Sequence, residues 1–70
     1  MKQTTTNNRR RAFRAAIEAA GIDMNTDFFA LSFSDIAALD NLARVYRYRR
    51  PASFPGSTAR AFFYSAQRAK

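Results

Sequence analysis

The sequence predicts an all-α protein, a small unit of three helices at about residues 8–20, 34–49 and 58–69, with a short helical turn near 26–31. Three observations carry this expectation. Apolar residues recur at helical spacing in three segments, no segment alternates like a strand for more than about four residues, and Gly21, Pro51 and Pro55-Gly56 punctuate the chain.

The first helix follows Thr and Asn residues that suit an N-cap and ends at Gly21, which takes a left-handed C-terminal position at no steric cost. On a helical wheel Phe13, Ile17 and Ala20 share a face with Ala12, Ala16 and Ala19, an alanine flank that permits close helix approach. Arg10, Arg11, Arg14 and Glu18 lie opposite, where Arg14 or Arg11 can pair with Glu18. Arg9, Arg10 and Arg11 fall in the first turns of the expected helix, where the macrodipole disfavours each cation by a few tenths to about 1 kcal/mol. Something other than helix stability placed them there. Residues 1–7 read as a flexible basic and polar arm, and 8–70 as one helical domain.

Between the first two helices, "IDMNTDFFALSF" holds the short turn, with Phe28, Phe29 and Leu31 as core candidates. The second helix is expected to start at Ser34 as N-cap, with Asp35 in its first turn and Phe33 outside as a hydrophobic staple. Its apolar stripe is Ile36, Leu39, Leu42, Ala43 and Tyr46; the opposite face carries Asp40, Asn41, Arg44, Arg47 and Tyr48. Asp40 can pair with Arg44 or Arg47, and Arg44 can stack on Tyr48. Arg50-Pro51 ends the helix, because the residue before proline is pushed out of the helical region. The loop "PASFPGS" leads to the third helix, capped by Ser57. Ala59, Phe62, Ala66 and Ala69 form its apolar side with Phe63 at the edge, and Arg60, Tyr64, Gln67 and Arg68 form its polar side.

A 70-residue chain buries only about 60% of the surface its unfolded form exposes. Without cysteine or histidine, neither a disulfide nor a His/Cys zinc site adds stability, so helix packing or self-association must supply it. The ten aromatics exceed what so small a core hides, which places Phe28, Phe29, Phe54, Phe63 or Tyr64 at an interface and favours a homodimer.

The net charge is +7, unevenly spread: residues 1–22 carry +4, 23–43 carry −4 and 44–70 carry +7. Such a field favours an anionic partner, nucleic acid or an acidic protein surface. No apolar run approaches the roughly 20 residues of a membrane span, so a cytoplasmic protein without membrane contact is expected.

Catalysis and metal binding have little to build on. "DMNTD" matches the opening of a calcium loop at Asp23, Asn25 and Asp27, but Phe28 stands where the loop needs glycine and Ser34 where it needs a bidentate glutamate. The usual general base and the strongest nucleophile are absent, and the two glycines build no phosphate loop. The expectation is a protein that is not an enzyme, with no cofactor, metal or small-molecule substrate.

The segment "STARAFFYSAQR", Ser57 to Arg68, resembles the recognition helix of helix-turn-helix proteins, where a Ser/Thr cap precedes small and basic residues. The resemblance implies that Arg60, Tyr64, Gln67 and Arg68 face a groove, arginine on guanine or phosphate and glutamine on adenine. The linker "RRPASFPG" is about twice the three-to-four-residue turn of that motif. The function expected is a small basic nucleic-acid-binding protein, DNA-binding and regulatory, with phosphates on Arg9, Arg10, Arg11, Arg47, Arg49 and Arg50. The alternative, by analogy of size and composition, is a phage or mobile-element protein that inhibits a host protein, as anti-CRISPR proteins and anti-regulators do.

Overall fold

In the computed structural model α1 spans Lys2–Ala19, a 3-10 turn Phe28–Ala30, α2 Phe33–Val45 and α3 Thr58–Gln67, and no strand occurs among the described residues. The structure describes the backbone of residues 2–69 and the side chains of residues 7–69. Met1 and the side chains of residues 2–6, in the expected arm, lie outside the described residues.

α3 is the central element. It packs against both α1 and α2, which touch each other much less. The sequence explains this, because α3 alone carries two adjacent fully buried aromatics, Phe62 and Phe63, flanked by Ala59, Ala61 and Ala66, whose small side chains let neighbouring backbones approach. Phe63, expected at the edge of the apolar face, is 0% exposed. Phe62 stacks on Phe13 of α1 at 4.7 Å, and Phe63 meets Phe28 at 6.0 Å. Ile17, Ile22, Met24, Leu39 and Ala43 complete a core with no buried polar residue among those described. The alanine flank expected to pack in α1 is largely open, since Ala12, Ala19 and Ala20 are exposed.

Helix boundaries depart from the expected ones for physical reasons. The backbone of α1 is already helical at Lys2, so Arg9 to Arg11 lie about two turns inside it, beyond the first turn where the dipole disfavours cations. Ser32 rather than Ser34 caps α2, its Oγ accepting from the Asp35 amide at 3.1 Å. Phe33 thereby becomes the first helical residue and, at 88% exposure, staples nothing. α3 is capped by Ser57 as expected, Oγ accepting from the Arg60 amide at 3.2 Å, and ends at Gln67 with Arg68 as C-cap.

α1 and α2 end in the same way. After α1 the Ile22 amide donates to the Ile17 carbonyl and the Gly21 amide to Glu18, with Gly21 left-handed at φ 85°. After α2 the Tyr48 amide donates to Ala43 and the Arg47 amide to Arg44, with Arg47 left-handed at φ 55°. Both are Schellman motifs, and the second places an arginine where glycine is the usual residue. α2 therefore stops at Val45, short of the expected 49, and the wheel positions assigned beyond it no longer hold. Tyr46, expected in the core, is 38% exposed. Tyr48, expected on the polar face against Arg44, instead turns inward, its ring 5.7 Å from Phe13 and 5.6 Å from Phe62.

A left-handed non-glycine residue costs on the order of 1 kcal/mol or more, partly offset by the greater unfolded-state freedom of glycine. Arg47→Gly should therefore raise stability by about 0.5–1 kcal/mol, read as a rise of a few degrees in a thermal melt. An unchanged or lower melting temperature would mean that the arginine side chain stabilises its own backbone.

Candidate nucleic-acid interface

The connection Tyr46–Ser57 builds one wall of a cleft. Arg50, expected to meet phosphates, folds back so that Nη1 donates to the Phe54 carbonyl at 2.8 Å, while the Phe54 amide donates to Pro51 at 3.0 Å. These two bonds close the loop on itself. Gly56 lets it pass α3: a Cβ there would lie 2.7 Å from the Phe54 ring and 2.8 Å from the Arg60 stem. The Phe54 ring is thereby held 6.1 Å from Tyr64.

The cleft encloses about 680 Å³, within the range of ligand sites. α1 contributes Arg9, Arg10 and Phe13; the connection contributes Arg47, Tyr48, Arg49, Pro51, Ser53, Phe54 and Pro55; α3 contributes Ala61, Tyr64, Ser65 and Arg68. Five arginines and no carboxylate line it. Among the described residues none of the five pairs with a carboxylate. Among the described residues Arg14 with Glu18 and Arg44 with Asp40 form exposed helical ion pairs that the sequence predicts, each at 3.5 Å and both outside the cleft. Like charges gathered around a low-dielectric apolar floor focus a positive field on the cleft.

Of the residues singled out from sequence, Arg9, Arg10, Arg47, Arg49, Tyr64 and Arg68 come together here. Arg11, Arg50, Arg60 and Gln67 do not line the cleft. Arg60 lies over three rings, Phe29 at 4.7 Å, Tyr64 at 5.6 Å and Phe54 at 5.7 Å, and its Nε donates to the Tyr64 hydroxyl at 3.4 Å. Gln67 donates through Nε2 to the carbonyls of Met24 at 3.1 Å and Thr26 at 3.4 Å, tying α3 to the loop before the 3-10 turn. That loop is the "DMNTD" segment: Asp23 Oδ1 accepts from the Asn25 amide at 2.9 Å, and Phe28, at the calcium loop's glycine position, is buried in the core. Among the described residues no three His, Cys, Asp or Glu side chains gather as metal ligands, and no helix is long and apolar enough to cross a membrane.

Sequence reasoning named Phe54 as an interface candidate but did not join it to the arginines, and it missed Phe13, Tyr48, Ser53 and Ser65 as lining. Phe54, set among Pro51, Pro55 and Gly56, carried a signal, since a large apolar residue in a turn-rich loop needs a surface to rest on. Arg9 is fixed at the rim, its guanidinium 5.4 Å from the Phe13 ring centre and Nη2 donating to the Tyr46 carbonyl at 3.3 Å.

Burial pushes the Tyr48 phenol above its ordinary pKa, opposed by the nearby positive charges of Arg68 and Arg10. A raised folded-state pKa means that the neutral phenol stabilises the fold below the ordinary value of about 10, and that this contribution is lost as pH rises through the folded value. Melting temperatures measured from neutral pH to about pH 11 should fall more for the wild type than for Tyr48→Phe. Parallel curves would show that the phenol does not couple to folding.

Comparison with known protein families, with curated proteins and with solved structures finds no match to this chain. The class of protein is thus defined by what it carries: a basic three-helix unit with an arginine-lined, aromatic-floored cleft.

Proposed function

We propose that this protein binds nucleic acid through the cleft between α1, the Tyr46–Ser57 connection and α3, acting as a binding protein in the cytoplasm and not as an enzyme. One observation carries the reading: five arginines from three separate parts of the chain converge on a cleft that contains no carboxylate and is floored by aromatic rings. Guanidinium groups meet phosphate oxygens through paired N–H donors, and aromatic rings meet bases. DNA as the ligand and a regulatory role are kept from the expectation that the sequence raises. The contact differs from that of a helix-turn-helix protein, because the Arg60 and Gln67 side chains are engaged within the protein and α3 forms a wall of the cleft.

The test is fluorescence anisotropy with labelled oligonucleotides across a salt series. Binding that weakens steeply with salt supports the reading, because each phosphate contact releases a counterion. No binding at low salt overturns it.

One observation favours a second reading, docking onto a host protein as a phage-type inhibitor, or self-association as a homodimer. Phe33 and Val45, at the two ends of α2, are 88% and 65% exposed. A partner captured from lysate that survives nuclease treatment, or a dimer in sedimentation that Phe33→Ser abolishes, would support it.

A further inference from the structure

We infer that the cleft accepts single-stranded nucleic acid, its phosphates on the rim arginines and a base stacked beside Phe54 and Tyr64, in preference to a duplex. The inference rests on the nucleic-acid reading and adds which form of the polymer fits.

Shape is the first argument. A major groove admits a protruding helix or a β-ribbon; no strand occurs among the described residues, and Tyr64 and Ser65 of α3 with its C-cap Arg68 form one wall of a concavity whose other wall is the loop around Phe54. A convex duplex meets only the rim of such a site. A flexible strand can enter it.

The lining is the second argument. Phe54 and Tyr64 both line the cleft and are only half-buried, so they keep surface available to a ligand. Their places are held by the Arg50 and Arg60 contacts described above, so the stacking surface exists before a ligand arrives. Base faces are hidden in a duplex and presented by a single strand, and stacking on aromatic side chains is the recurring device of single-strand binders. Ser53 and Ser65 add hydroxyls that both donate and accept, as base edges require.

Charge is the third. Five guanidiniums exceed what one nucleotide's phosphate neutralises, and they come from α1, the connection and the end of α3, so they track a strand crossing the cleft rather than a single anion.

The experiment compares four labelled ligands of equal length at one salt concentration, by anisotropy with the full chain: single-stranded DNA, single-stranded RNA, the same DNA as a duplex, and an abasic DNA strand. Either single strand should bind about fivefold or more tightly than both the duplex and the abasic strand, since that is the low end of what stacking of one base contributes. The DNA and RNA arms identify the preferred sugar, and either preference supports the inference. Duplex binding as tight as single-strand binding, or abasic binding as tight as that of the normal strand, overturns it while leaving the nucleic-acid reading intact. No binding in any arm overturns both. Phe54→Ala should weaken the normal strand about tenfold and leave the abasic strand unchanged; an equal loss on both would assign Phe54 to loop structure rather than stacking.

Discussion

Phe62→Ala should destabilise the protein by about 3–5 kcal/mol, the largest effect expected of any single substitution in the chain. Phe62 is 0% exposed, and its ring touches Phe13 of α1 and Tyr48 of the connection, so one side chain links three parts of the fold. Truncation removes the transfer free energy of the ring and leaves a cavity between helices that a rigid core refills only in part. A 70-residue domain has a total stability of roughly 4–10 kcal/mol, so the loss is a large fraction of the whole. A melt followed by far-UV circular dichroism should show a fall on the order of 20 °C or more, or no cooperative transition. Phe33→Ala, at an 88% exposed position, should stay within about 0.5 kcal/mol of wild type. A fall of only a few degrees for Phe62→Ala would show that α3 is not the centre of the core.

The second large effect is on binding. For single strands the logarithm of the association constant falls with the logarithm of salt concentration by about 0.7 per phosphate contact, so five contacts give a slope near −3.5. Arg49→Ala combined with Arg68→Ala should reduce its magnitude by about 1.4 and weaken binding most at low salt. Both side chains are exposed, so the melting temperature should change little. Arg14→Ala with Arg44→Ala removes the same charge outside the cleft and breaks only the two exposed helical pairs, each worth a few tenths of a kcal/mol. That variant should keep the wild-type slope. If both double variants lose the same amount, net charge governs binding and the cleft does not.

Much of the fold is legible in the sequence because its causes are local. The spacing of Phe13 and Ile17, of Leu39 and Ala43, and of Phe62 and Ala66 marks the buried stripe of each helix, and all six are buried. Ser57 before "TAR" is a cap, and Gly21 is a left-handed stop. Where the sequence misleads, a non-local contact outweighs a local preference. Nothing in "ARVYRYRR" announces that an arginine takes the glycine position of a Schellman motif. Carrying the α2 wheel past Val45 therefore misplaces both tyrosines: Tyr46 is left partly exposed with its ring edge-on to Phe13, while Tyr48 packs against both Phe13 and Phe62 and supports the turn.

The candidate site divides along the same line. An excess of arginine and an affinity for anions follow from composition, since charge is a sum over residues. Which arginines act together does not, because Arg9 and Arg10, Arg47 and Arg49, and Arg68 are distant in the chain and meet only when α1 and the α2–α3 connection fold against α3. The same packing turns Arg60 onto its rings and Gln67 onto the Met24 and Thr26 carbonyls, taking from the face of α3 two side chains that resemble groove readers in the sequence. Helical periodicity thus determined from sequence alone that there are three helices and where the centre of each buried stripe lies, and capping fixed the start of α3. The turn at Arg47 and the assembly of one cleft from three separate arginine groups were decided by tertiary structure, because both depend on contacts between residues that no local pattern connects.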